Sequence, residues 1–247
     1  MQPEEAIVRP LSALTLIFAL LSVVFFLLLI FLRVPFPLYP LMSYQDAFDL
    51  LTPLVLIPIY WLLYKKVTCN RSTQRSELGF MVLAGFWAAG QGMHLSANSI
   101  DNLIGNLAKQ AAIDITGTQI FSLTYFYDEY LSHYLWHIGV IGLAGLLIVE
   151  SWRRPADELT DWRLVVPGAV LYGFLLFSIF LEGNTLPIGL PFVGLVTLGG
   201  LIAGRAKLRA RPVLAFFFAS CLLSLLMIAA WWLYWGCLPP ILEPYHC

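Results

Sequence analysis

Residues 212–235 read PVLAFFFASCLLSLLMIAAWWLYW, a run without a single Asp, Glu, Lys or Arg. An apolar stretch of about 20 residues is long enough to span a bilayer as an α-helix. The whole chain has the same character, because 60% of its 247 residues are hydrophobic and 12% are charged. A soluble domain usually carries about twice that charged fraction. The sequence therefore predicts an integral membrane protein, and its net charge of −1 argues against nucleic acid as a partner.

Earlier stretches of this kind, taken together with 212–235, predict an all-α polytopic transmembrane bundle of seven helices. The predicted spans are 11–32, 46–64, 78–99, 129–150, 163–182, 187–204 and 212–235. Between the third and fourth spans, residues 100–128 mix charged and apolar side chains, which predicts an amphipathic interfacial segment. The chain 1–247 is thus expected to form a single transmembrane domain.

Basic residues favour one side of the predicted bundle. The segment before the first span and the connections 65–77, 150–163 and 205–211 fall on the same side, and they hold every Lys and Arg except Arg33 and Lys109. Because cytoplasmic loops are enriched in Lys and Arg, we expect a cytoplasmic N-terminus and a C-terminus on the outer side. The pattern fits a bacterial inner membrane and a eukaryotic endomembrane equally well.

Four polar residues recur at helical spacing in and just after the third predicted span. Gln91, His94, Asn98 and Asp101 are separated by three or four residues, so they share one helix face. Ionisable side chains inside a membrane are costly and face the bundle interior or water. At a rise of 1.5 Å per residue, His94 lies roughly 25 Å above the cytoplasmic end of its span. This face is therefore expected to line a site near the outer surface.

The fourth predicted span carries a matching face. Glu129, His133 and His137 recur every four residues, and the two histidines lie roughly 24–30 Å above the cytoplasmic end. Asp49 and Glu182, on two further spans, reach roughly the same height. The sequence thus predicts one layer of ionisable side chains near the non-cytoplasmic face.

Neutral imidazoles with a carboxylate suit zinc, which lowers the pKa of a bound water to about 7. The predicted metal ligands are His94, His133, His137 and Asp128. A further carboxylate can serve as general base or acid, and an amide can polarise a carbonyl group. The predicted catalytic residues are Asp49, Glu129, Glu182 and Asn98. Together they predict a metal-dependent hydrolase that acts on an amphiphilic substrate, such as a lipid amide or ester, near the outer leaflet.

The motif His133-Tyr-Leu-Trp-His137 resembles the His-x-x-Trp-His element of alkaline ceramidases, and Gly90-Gln-Gly-Met-His94 is loosely similar to the segment before their first histidine. These enzymes belong to a superfamily of seven-span membrane hydrolases that includes the adiponectin-receptor-like proteins. The resemblance covers these two short motifs and implies zinc bound by the three histidines. The family carries its His-x-x-x-His pair on the last span and a serine four residues before the first histidine, whereas here the pair lies on the fourth span and Gly90 replaces the serine.

Other functions would use the same polar layer. Imidazoles from facing helices can bind haem, and imidazoles with a carboxylate also suit copper, so a redox membrane protein is one alternative. A proton relay would use these groups without a metal. In a non-enzymatic subunit of a membrane complex, the layer would hold helices together or contact a membrane protein partner. Membrane lipids surround the protein in each case.

Overall fold

The computed structural model describes residues 10–27, 31–32, 34–154 and 158–241. Arg9 and Arg33, which entered the prediction of orientation, lie outside these ranges, as do residues 28–30 of the first predicted span. The elements are α1 (Pro10–Phe26), β1 (Pro35–Phe36), β2 (Tyr39–Ser43), α2 (Tyr44–Val67), α3 (Gln74–Ala111), α4 (Gln119–Tyr125), a π-helical turn (Phe126–Ser132), α5 (His133–Arg153), α6 (Trp162–Glu182), α7 (Leu186–Arg209) and α8 (Pro212–Trp235). Apart from the antiparallel β1–β2 hairpin, the regular structure of the described residues is helical.

Five helical stretches within the described ranges are long and apolar enough to cross a membrane. They are α2, the continuous helix Gln119–Arg153, α6, α7 and α8. The prediction of an α-helical, multi-pass membrane protein is therefore confirmed. Of the other two predicted spans, the first corresponds to α1, which is apolar and 17 residues long. The third lies within α3, whose 38 residues include many polar side chains.

Residues 100–128 were predicted to form an amphipathic interfacial segment, and their position at the membrane interface stays a prediction. The structure divides them among the end of α3, a turn, α4 and the start of the π-helical turn. α3 runs on past its apolar part and ends where Ala112 adopts a left-handed conformation, with φ of 52°. A new helix begins at Thr118, whose side chain accepts a hydrogen bond from the backbone N–H of Phe121. This cap starts the long helix that carries the next span.

The connections rich in Lys and Arg meet at one end of the bundle, which we call the basic end. Arg154 Nη2 donates to the carbonyl oxygen of Arg71 at 2.8 Å, and Arg211 Nη2 donates to the carbonyl oxygen of Arg154 at 2.7 Å. The start of α1 lies here too, because the backbone N–H of Leu11 donates to Glu158 Oε2 at 3.0 Å. These contacts place the start of α1 and the α2–α3, α5–α6 and α7–α8 connections side by side.

Two glycines allow α3 and α5 to pack backbone to backbone. A β carbon at Gly90 would lie 2.7 Å from the carbonyl oxygen of Ser132 and would also overlap the backbone nitrogen of Trp136. A β carbon at Gly139 would lie 2.5 Å from the backbone nitrogen of Trp87. Because neither position has room for a side chain, the two helices approach closely and bring the polar face of α3 against that of α5.

Candidate functional site

The π-helical turn carries two of the predicted site residues, Asp128 and Glu129, directly before His133. Such a turn inserts an extra residue into a helix and often marks a functional site. Asp128 is 4% exposed, and the hydroxyl of Ser132 donates to its backbone carbonyl. The turn therefore presents a buried carboxylate on the side of the helix that packs against α3.

Asp128 and His94 form a buried acid–imidazole pair between the π-helical turn and α3. His94 Nδ1 lies 2.8 Å from Asp128 Oδ1. Neither atom has a hydrogen bond to any other group in the described part of the chain. The ring of His94 also lies 4.8 Å, between centroids, from that of His133. A carboxylate against one ring nitrogen is the arrangement that orients a ligand histidine in many metal sites.

The two histidines of α5 are also held through Nδ1. His133 Nδ1 lies 3.1 Å from the carbonyl oxygen of Glu129, and because a carbonyl only accepts, this nitrogen carries the proton. His137 Nδ1 lies 2.5 Å from Thr185 Oγ1. Its Nε2 is buried and has no hydrogen-bond partner among the described residues. The second ring nitrogen of each α5 histidine is thus left for another ligand.

A cavity of about 230 Å³ opens beside the histidines, at the end of the bundle opposite the basic end. The predicted site residues that line it are Asp49, His94, Asn98, Glu129, His133, His137 and Glu182. Asp128 stands behind His94 and does not line the cavity. Helices that are far apart in the sequence therefore bring the predicted residues to one place, as the estimated depths suggested.

The donor set of this cavity fits zinc chemically, since three imidazoles and several carboxylates are the ligand types that zinc prefers. Neighbouring ring centroids are 4.8 Å apart for His94 and His133 and 5.9 Å apart for His133 and His137. Two imidazoles on one tetrahedral zinc have centroids roughly 5 Å apart, given nitrogen–zinc distances of about 2.0 Å. No three His, Cys, Asp or Glu side chains of the described residues are already gathered as a metal-binding group. The rings of His133 and His137 stack at 6° to each other, so the side chains would have to move before they could converge on an ion.

Asp49 enters the cavity from α2 and is held by a relay from α3. Gln91 Nε2 donates to Asp49 Oδ1 at 3.0 Å, and Trp87 Nε1 donates to Gln91 Oε1 at 3.2 Å. Gln91 is 1% exposed and Trp87 is fully buried. This relay fixes one carboxylate oxygen of Asp49, so the other can face a ligand in the cavity.

Three residues that were not among the predicted site residues also shape the site. Thr185 holds His137, and the ring of Trp136 has its centroid within 6.0 Å of all three histidine rings. A β carbon at Gly183 would lie 2.6 Å from His137 Cε1, so glycine lets the α6–α7 turn pack on that ring. The only sequence signal for this turn was the Gly183-Asn184 pair after a predicted span, which is also typical of ordinary turns.

The site combines ring nitrogens that can bind an ion with carboxylates that can transfer protons. Part of the lining of the cavity is apolar, since Phe26 stacks against Trp136 with ring centroids 5.3 Å apart. Such a cavity suits a ligand that has both a polar and an apolar part. No protein-family model, curated protein or solved structure matches the chain.

Proposed function

We propose that the protein is a metal-dependent membrane hydrolase that cleaves an amide or ester bond of an amphiphile. The observation that carries the proposal is the set of three histidines beside one cavity, each with an oxygen atom close to Nδ1. Oxygen partners of this kind fix the orientation of ligand histidines in metal enzymes. Carboxylates line the same cavity, which is the second requirement for hydrolysis.

His94, His133 and His137 would hold the metal, and zinc is the ion that their chemistry favours. We assign Asp128 to orienting His94 rather than to binding the ion, because its Oδ1 faces Nδ1 of that ring. Bound zinc supplies a water whose pKa is about 7.

The remaining residues of the cavity divide the proton transfers. Gln91 holds Asp49 through one oxygen, and the other oxygen would take a proton from the attacking water. Asn98 lines the cavity with an amide that can donate to the substrate carbonyl. Glu129 and Glu182 lie at the same cavity and can return a proton to the leaving group.

The proposed membrane topology has seven crossings, with the basic end in the cytoplasm and the cavity near the outer leaflet. Helices α1 and α3 supply the two crossings beyond the five apolar stretches. The contacts at the basic end support this alternation, as does the enrichment of cytoplasmic loops in Lys and Arg. Exposed aromatic side chains near the cavity fit the membrane–water interface. These residues are Tyr125, Phe126, Tyr127 and Tyr130.

A hydrolysis screen tests the proposal. Purified protein is incubated with lipid amides and lipid esters, before and after metal removal by a chelator and after zinc is restored. We expect one class of lipid to be cleaved, with activity lost on chelation, regained with zinc and absent in His133→Ala. Cleavage that survives chelation would contradict the metal dependence. A protein that binds haem or copper, or that purifies with a partner and cleaves no lipid, would contradict the hydrolase.

A further inference from the structure

A second, larger cavity lies beside the histidine cavity, between the β1–β2 hairpin and the end of α3. Its volume is about 480 Å³, within the range of about 300–1,000 Å³ that is typical of small-molecule sites. The residues that line it are Pro35, Pro40, Leu41, Met42, Ser43, Gln45, Asp46, Asn98, Ser99, Asn102, Asn106 and Lys109. Most of these side chains are polar, and aromatic rings are absent from the set.

One wall of this cavity is a row of amides. Asn98, Asn102 and Asn106 recur every four residues on α3, so they share one helix face. Asn102 Nδ2 donates to Asn98 Oδ1 at 2.9 Å, which aligns the first two amides. Asn102 and Asn106 are both exposed to solvent, and both line the cavity. Each amide offers donors and an acceptor in one plane, which matches groups that also donate and accept, such as hydroxyls.

The charges around this cavity do not suit an anionic headgroup. Among the described residues that line it, Lys109 is the only cation, whereas phosphate sites usually combine several cationic or backbone N–H donors. Asp46 lies beside the first of these amides: its Oδ1 accepts from Asn98 Nδ2 at 3.5 Å, and its Oδ2 accepts from the backbone N–H and the hydroxyl of Ser43 in the cap of α2. Among the described lining residues, one carboxylate and one ammonium balance each other, and this balance favours an uncharged ligand.

The two cavities are neighbours that share part of their lining. Gln45 and Asn98 line both of them. A ligand whose polar group lies along the amides of α3 would extend its linking bond past Asn98 towards the three histidines. We propose that the amide cavity binds an uncharged, polyhydroxylated headgroup, such as the sugar of a glycolipid. That this lipid is also the substrate rests on the proposed function, whereas its binding does not.

Binding to the protein in phosphatidylcholine nanodiscs tests this inference. The probes are fluorescent glucosyl diacylglycerol and fluorescent phosphatidylglycerol with the same acyl chains. We expect the glucosyl lipid to bind about tenfold more tightly, and Asn102→Ala/Asn106→Ala to remove that preference, because several hydrogen bonds to hydroxyls are lost. The matched control is Gln110→Ala, an exposed position on α3 that does not line the cavity. It should keep the preference.

Equal binding of the two lipids, tighter binding of phosphatidylglycerol, or an unchanged preference in the double variant would overturn the inference. Binding and hydrolysis of the glucosyl lipid are measured as two separate readouts on the same protein, which separates this inference from the proposed function. Headgroup-selective binding without any hydrolysis would uphold the amide cavity and contradict the hydrolase. Hydrolysis without headgroup selectivity would uphold the hydrolase and contradict the amide cavity.

Discussion

His137 Nδ1 lies 2.5 Å from the hydroxyl oxygen of Thr185, so the turn that follows α6 holds a histidine of α5. Both side chains are fully buried. The contact links two helices at the depth of the cavity and directs the unpartnered Nε2 of His137 away from the turn. Thr185 is therefore a positioning residue of the proposed active site.

Thr185→Val keeps the shape of the side chain and removes the hydroxyl. We expect zinc affinity or activity to fall by about 10–100-fold, as for other residues that orient a metal-binding histidine. The matched control is Thr197→Val, because Thr197 is buried and its hydroxyl has no hydrogen-bond partner among the described residues. Zinc titration and activity should be unchanged in the control. Equal effects in both variants would show that Thr185 contributes only general stability.

Gly90→Ala tests the close approach of α3 and α5. The added methyl group would overlap the backbone of Trp136 and Ser132, and we expect a loss of about 1–3 kcal/mol in the free energy of unfolding. Gly92→Ala is the control, because a β carbon there meets no atom within 4 Å. In a helix this change stabilises by up to about 1 kcal/mol. In thermal unfolding in detergent, the midpoint temperature should fall for Gly90→Ala and not for Gly92→Ala. A wild-type midpoint in Gly90→Ala would contradict the close packing.

Asp128→Asn removes the carboxylate that faces His94. The side-chain volume is kept, so we expect the protein to fold and its zinc affinity to fall by about 10–100-fold. Asp114→Asn provides a control with the same change in charge, since Asp114 lies in the exposed turn between α3 and α4. Zinc affinity is measured by competition with a chromogenic chelator. Unchanged affinity in Asp128→Asn would contradict the orienting role.

Cysteine labelling tests the proposed topology. Cys69 is exposed in the α2–α3 connection at the basic end, and Gly117 lies in the turn at the opposite end. A thiol reagent that cannot cross membranes should label a Gly117→Cys variant from outside the cell. It should label Cys69 only after the membrane is opened. Each residue is examined in a variant that carries no other cysteine. Labelling of Cys69 in intact cells would show that the orientation is the reverse of the proposed one.

The periodicity of the sequence predicted that the site residues lie at one depth, but it did not predict the contacts that hold them. His94, His133 and Asp49 could be placed at one height because helix rise is constant. The π-helical turn was not foreseen, since one inserted residue leaves no mark on hydropathy. Thr185 was missed because a threonine after a span has no periodic partner, and only the packing of the α6–α7 turn brings it to His137.

Helix α3 extends well beyond the predicted span 78–99, for a related reason. Hydropathy marks where a helix leaves the apolar part of a membrane, but the helix itself continues while its backbone hydrogen bonds can form. Polar residues such as Asn102 and Asn106 therefore extend α3 instead of ending it. This extension creates the amide cavity, which residue spacing within the spans gave no means to predict.

Metal analysis of the detergent-purified protein tests the central claim most directly. Zinc content is measured by mass spectrometry for the wild type and for His133→Ala/His137→Ala, with Thr197→Val as a folded control. The proposed site predicts about one zinc per chain in the wild type and the control, and none in the double variant. A wild type that neither retains zinc nor takes it up on titration would contradict the metal-dependent hydrolase.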